Sequence, residues 1–276
     1  MKVSEILKRT SVAVPQSETW GGLESYGAHG IKPKTEVKRA LFCVTPTSEV
    51  VEYFFANKYD VLISHHPFVK LGVPMLVFHT ALDCCKGGLN DMWKNMLGVK
   101  DAKHFDANLG WVGKIDPIPF DDLVAKIEKF IGNKARGLVQ AKNNSKLVSS
   151  VVICTGLGGL VFEQAQNTGA DVYITGELCS STIGTFDGVI EIGHTLTETC
   201  GVNFFRDLLP EIEIDSAPLN IDVFGHEVVF AQKGRFISLK ADIDPLDPLT
   251  YDEFEPLNEL DKEEDEEWED MTLNIY

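Results

Sequence analysis

His194 and Glu198 stand four residues apart in Gly193-His-Thr-Leu-Thr-Glu198, a spacing that puts an imidazole and a carboxylate on one face of a helix starting near the Gly193 turn. Such a pair either forms a solvated surface ion pair or offers two ligands to one cation. His65 and His66 are adjacent, and Pro67 follows them directly. Successive side chains of a strand point to opposite faces, so both imidazoles serve one site only where the strand ends, and Pro67 enforces such an end. Two imidazoles flanked by Ile63 and Pro67 are costly to bury without a cation or hydrogen bonds, which points to metal ligation.

A third element is His79-Thr-Ala-Leu-Asp83, followed by Gly87-Gly88-Leu89-Asn90-Asp91. Asp83 is a carboxylate able to bridge two positive charges, and the glycines allow close backbone approach. His79 reads as an outer partner of a ligand rather than a ligand. Mixed imidazole and carboxylate donors suit zinc, manganese, iron(II) or magnesium, with no thiolate required. His29, His104 and His226 lack partners at useful spacing and read as structural or surface residues.

The elements that must position these groups alternate in type. Apolar, β-branched runs at 40–44, 61–64, 73–79, 147–155, 171–175 and 189–192 are separated by segments of helical period at 49–58, 121–131, 159–169 and 198–209. Alternation of this kind predicts an α/β fold with a largely parallel sheet. Polar residues fall where strands run out, at His65-His66, His79 and His194, and ligands of open α/β sheets bind beyond the carboxyl ends of the strands. Asp116-Pro117-Ile118-Pro119 is expected to interrupt the pattern, giving halves at 1–115 and 116–240 and an acidic tail at 241–276. A hairpin is expected within 228–239. The turn Cys154-Thr-Gly-Leu-Gly-Gly159 offers backbone amides that could cradle an anion.

Composition narrows the function classes. The formal charge is −17 over 276 residues, but 241–276 holds fifteen Asp or Glu against one Lys, so the body carries only about −3. A chain with no basic stripe lacks the counterion-release term of nucleic-acid affinity, and no nucleic-acid partner is expected. No apolar run is long enough to cross a bilayer, which predicts no membrane partner and a cytoplasmic location. Six scattered cysteines without a C-x-x-C pair read as buried thiols of a reducing compartment, Cys84 and Cys85 included. The tail composition predicts a mobile, solvated segment.

Taken in order, Ile63-Ser-His-His-Pro67, His79-Thr-Ala-Leu-Asp83 with Gly87-Gly-Leu-Asn-Asp91, Gly169-Ala-Asp-Val-Tyr-Ile-Thr-Gly-Glu177 and Gly193-His-Thr-Leu-Thr-Glu198 resemble the Nif-three-like dinuclear metal-centre family, the GTP cyclohydrolase I type 2-like proteins. Trp20-Gly-Gly-Leu23 resembles that family's Trp-Asp-x-x-Gly-Leu signature without its acidic residue. The resemblance implies two divalent ions held by His65, His66, Asp83, His194 and Glu198, with Asp83 and Glu198 bridging. It also implies two related α/β halves with mixed, largely parallel sheets and a metal site in the cleft between them, a ring-shaped homohexamer, and a pocket lined by Glu177 as base or orienting group. The family's Lys and His residues after Thr-Gly-Glu are replaced here by Leu178-Cys179-Ser180-Ser181. The expected function is metal-dependent hydrolysis of a nucleotide or related small molecule, with Glu177 as proton shuttle. The alternative is a non-catalytic protein whose two metals are structural or stored.

Overall fold

The computed structural model describes residues 1–20, 26–67, 72–132, 137–140, 147–178, 186–220 and 222. Helix α1 (Val3–Ala13) and strand β1 (Gly27–His29) come first, then β2 (Arg39–Cys43), α2 (Ser48–Ala56), β3 (Val61–Ser64), β4 (Met75–Val77), α3 (His79–Cys84) and α4 (Leu89–Leu97). The chain continues through β5 (Lys100–Lys103), β6 (Trp111–Ile118), α5 (Phe120–Ile131), β7 (Gly137–Gln140) and β8 (Val148–Cys154). After a 3-10 turn come α6 (Phe162–Asn167), β9 (Val172–Thr175), β10 (Gly188–Glu191), α7 (His194–Glu198), α8 (Gly201–Leu208) and β11 (Glu213–Ser216).

Two mixed sheets result. The first has the order β1-β4-β3-β2-β11, parallel from β4 to β11 with β1 antiparallel at the edge. The second has the order β5-β6-β8-β9-β10-β7, parallel across β8, β9 and β10 and antiparallel outside them. The central strands β3 and β9 are buried along their whole length, as strands covered on both faces must be. Period-two alternation divides their side chains. Phe42, Ile63 and Leu76 pack with Phe205 on one face of the first sheet, while Leu41, Leu62 and Val77 pack with Phe54 on the other. Helix α5 closes one face of the second sheet through Phe120, Leu123, Val124 and Ile127, an i, i+3, i+4, i+7 stripe.

Several expectations are corrected. Asp116, Pro117 and Ile118 lie inside β6, whose pairing with β8 shifts register between Lys114 and Ile118. An irregularity at that point accommodates a proline that cannot donate to the ladder. Sheet membership does not change at 115/116 either, because β5 joins the second sheet and β11 returns to the first. The run at 73–79 is strand only over β4; its ladder with β3 ends at Ser64 and Val77, and His79 opens α3 instead. The helix expected over 198–209 is split into α7 and α8, where the Val202 and Asn203 amides bond only three residues back, to Thr199 and Cys200. The hairpin expected within 228–239 and the tail at 241–276 lie outside the described residues. No helix among the described residues is long and apolar enough to cross a membrane.

One long-range tie fixes the turn after β2. Asp222 is fully buried, and its two carboxylate oxygens accept the Val44 and Thr45 amides at 2.7 Å each. An Asp222→Ala variant leaves these two donors without acceptors and is expected to lose about 3 kcal/mol of stability, read from the urea denaturation midpoint. A loss below about 0.5 kcal/mol would show that the turn is held by other means.

Candidate metal centre

Both sheets deliver chemistry at the carboxyl ends of their parallel strands. His65 and His66 directly follow β3, and their amides continue its ladder by donating to the Cys43 and Val44 carbonyls at 3.0 and 2.8 Å. The Ser64 hydroxyl donates to the His66 carbonyl at 2.6 Å, tightening the bend so that the two rings lie 5.0 Å apart between centroids. Asp83 follows β4 on α3, one helical turn after His79. His194 and Glu198 follow β10 on α7, with Nε2 and Oε1 3.3 Å apart. Every one of these five sequence-derived positions is brought into one cluster.

Glu198 is the centre of it. Its Oε1 lies 3.4 Å from His65 Nε2, its Oε2 lies 3.4 Å from His66 Nε2, and the side chain is only 2% exposed. His65 Nε2 also lies 3.5 Å from Asp83 Oδ2, and His66 Nε2 lies 3.2 Å from His194 Nε2. These separations bring donor atoms together without pairing them well. Both ring nitrogens of His65 and the Oε2 of Glu198 are buried with no hydrogen-bond partner, a costly state unless another group binds there.

The donors sort into overlapping sets whose atoms lie within 4.8 Å of one another: His65, Asp83 and Glu198; His66, His194 and Glu198; and His65, His66 and His79. The first two sets share Glu198, whose Oε1 lies beside His65 and His194 and whose Oε2 lies beside His66. Asp83 belongs to one set, because its Oδ1 accepts the Thr155 hydroxyl at 2.6 Å. The donor chemistry and the orphaned atoms both fit a divalent metal.

Burial and mutual charge set the protonation states. Burial alone raises a carboxyl, yet the His194 and His65 imidazoles outweigh it and hold Glu198 well below the usual range. Burial opposes protonation of His65, but Glu198 and Asp83 outweigh it and the net shift is upward. For His66 burial dominates and its affinity for protons falls well below normal, leaving a neutral ring suited to ligation. Burial pushes Asp83 up to about 6.

Outer contacts orient the ligands, and most were missed in the sequence. Thr45 Oγ1 lies 2.9 Å from His66 Nδ1, and Glu177 Oε2 lies 3.2 Å from His194 Nδ1, so each imidazole is held from behind with Nε2 facing the cluster. Asn90 spans the two sheets by donating to the Asp83 carbonyl at 3.2 Å and accepting the Thr155 amide at 3.0 Å. Trp93 Nε1 donates to the Thr197 carbonyl at 2.8 Å, pinning α7 to α4. Thr45 and Thr155 could have been found by the same rule that found the histidines, a polar residue just past a strand. Asp222, far away in sequence, carries no such signal.

The glycine turn after β8 has a different role from the expected anion cradle. The amides of Gly156, Gly158 and Gly159 donate to Thr197 Oγ1, the Gly156 carbonyl and the Glu177 carbonyl, so they are committed within the protein. Gly156 has φ +63°, and a Cβ there would lie 2.3 Å from Glu198 Oε1. A glycine is needed so that the backbone can pass directly over the Glu198 carboxylate. Similarly, a Cβ on Gly88 would lie 2.0 Å from the Leu82 carbonyl, so Gly88 lets α4 start close against α3. Cys43, Cys84, Cys85, Cys154 and Cys200 are free; burial pushes the Cys85 thiol up to about 12 and Cys84 higher still, leaving both unreactive as expected. Cys179 lies outside the described residues.

A cavity of about 430 Å³ opens onto the cluster, lined on one side by His66, His79, Asp83, His194 and Glu198. The neighbouring proteins agree with this architecture. A "GTP cyclohydrolase 1 type 2 homolog" of Lactococcus lactis is 24% identical over 202 residues, spanning 64% of this chain and 78% of that protein. One of the same description from Methanocaldococcus jannaschii is 27% identical over 237 residues, spanning 76% of this chain and 95% of its own. The solved structure of reduced HcgD from Methanocaldococcus jannaschii shares the fold at a TM-score of 0.68 and 22% identity, covering 78% of this chain and 97% of that one. The model of the Duf34/NIF3 (NGG1p interacting factor 3) family matches residues 1–73 and 68–228, nearly the whole described region, and the chain belongs to that family.

Proposed function

We propose that this chain is a dinuclear divalent-metal hydrolase acting on a small molecule. His65, Asp83 and Glu198 would hold one cation, and His66, His194 and Glu198 the other. The observation that carries the reading is that His66, Asp83, His194 and Glu198 line an open cavity instead of being sealed from it. Structural metal sites are closed by protein ligands, whereas catalytic ones keep a face open to water and substrate. A bound pair of divalent ions supplies Lewis acidity and a water of lowered pKa. The chain's own residues orient and exclude: Glu177 holds the Nδ1 proton of His194, Thr45 accepts that of His66, and Thr155 fixes one oxygen of Asp83. Glu177 stands behind His194 rather than on the cavity wall, which supports an orienting role over the shuttle role its motif suggested. The names of the relatives make nucleotides the first compounds to assay.

Metal analysis tests the ligand set. Purified wild type is expected to hold two divalent ions per chain and a Glu198→Ala variant none, because the shared carboxylate serves both positions; full occupancy in the variant would refute the bridge. Hydrolysis of nucleotides, nucleosides and esters by metal-replete protein should be abolished by chelation and by His65→Ala. Uniform inactivity of metal-replete wild type would favour a storage or structural role.

Glu177→Gln is expected to weaken metal binding about 10- to 100-fold without unfolding the chain, read by competition with a chromophoric chelator. An unchanged affinity would detach Glu177 from the centre.

Loading should also depend on pH. Asp83 is raised to about 6 in the metal-free fold, so the folded chain binds its proton more tightly than the unfolded one. Its contribution to stability therefore declines as pH rises from the ordinary carboxyl range through 6, and a cation displacing the proton reverses that loss. Apparent metal affinity is expected to be at least about tenfold weaker at pH 5 than at pH 7.5. Equal affinities would remove Asp83 from the ligands.

A further inference from the structure

The cavity that opens onto the ligand cluster is also lined by large apolar side chains, Trp20, Leu109, Leu157, Leu160 and Val161. Trp20 is fixed rather than free, since its amide donates to Thr80 Oγ1 and its indole Nε1 to Asp106 Oδ2, each at 3.0 Å. With its one polar atom engaged, the indole has only apolar surface to offer a ligand. Leu160, on the 3-10 turn after β8, is 63% exposed although it borders this cavity. A large apolar side chain in that position gains surface burial when a ligand enters.

We infer that the compound bound beside the ligand cluster carries a flat, uncharged ring that packs on Trp20 and Leu160. The inference rests on the reading of the cluster as a metal centre open to a small molecule, and narrows its substrate to a ring-bearing molecule with a metal-seeking polar end.

The test uses the full chain loaded with zinc, its metal content measured first, and isothermal titration with two hydroxamates sharing one metal-binding head. Benzohydroxamate, which has the ring, is expected to bind at least about tenfold more tightly than acetohydroxamate, which lacks it. Leu160→Ser and Trp20→Ala should erase that advantage while leaving acetohydroxamate binding unchanged. Leu160→Ser alters an exposed side chain, so the test stands even if Trp20→Ala fails to fold. Equal binding of the two hydroxamates to wild type would overturn the inference and leave the metal centre intact. Zinc-loaded protein that binds neither hydroxamate would overturn the open-centre reading, and this inference with it.

Discussion

A carboxylate withdrawn from water is the constraint around which the rest of this structure is arranged. Glu198 is 2% exposed at the meeting point of two sheets, and an isolated charge in such a place would cost several kcal/mol. Three imidazoles stand within 3.4 Å of its oxygens, drawn from β3 and α7. That arrangement keeps the carboxylate ionised. It also leaves both ring nitrogens of His65 and one oxygen of Glu198 without hydrogen bonds, so the imidazoles alone do not complete the cluster, and a cation is the partner that would satisfy these atoms together.

The two sheets are organised to make that convergence possible. Parallel strands point their carboxyl ends the same way, and each sheet places its ligand-bearing turns at that end. Neither sheet holds the whole set: His65, His66 and Asp83 belong to the first, His194 and Glu198 to the second. Asn90, Thr155 and Trp93 stitch the two together across this seam. The chain also returns to the first sheet after completing the second, through β11 beside β2. Rigid placement of this kind is what a metal centre needs, because ligand positions must hold to fractions of an ångström when the cation leaves and returns.

Polar groups gather at the strand ends, where backbone turns and helix starts can hold them. Trp20, Leu109 and the 3-10 turn after β8 add apolar surface to the same cavity. Just before that turn the Gly156 amide bonds inward to Thr197 Oγ1, and the absence of a side chain at Gly156 lets the backbone lie against Glu198.

Legibility in the sequence followed the range of the interactions involved. The adjacent pair His65-His66, the four-residue spacing of His194 and Glu198, and Asp83 after its apolar run are local patterns, and alternation of apolar runs with helical period was enough to indicate α/β sheets. Pro117 misled because a proline can sit in a strand wherever the ladder is irregular, and irregularity depends on the partner strand β8. The helix across 198–209 was misjudged for a related reason: periodicity continues through Cys200, but packing breaks the helix there. Residue types and short spacings thus determined which side chains could ligate. Tertiary structure alone decided that Glu198 sits among three imidazoles while Asp83 leans on Thr155, that Asp222 holds the turn carrying Thr45, and that Trp20 lines the cavity, since these depend on distances between segments that share no local pattern.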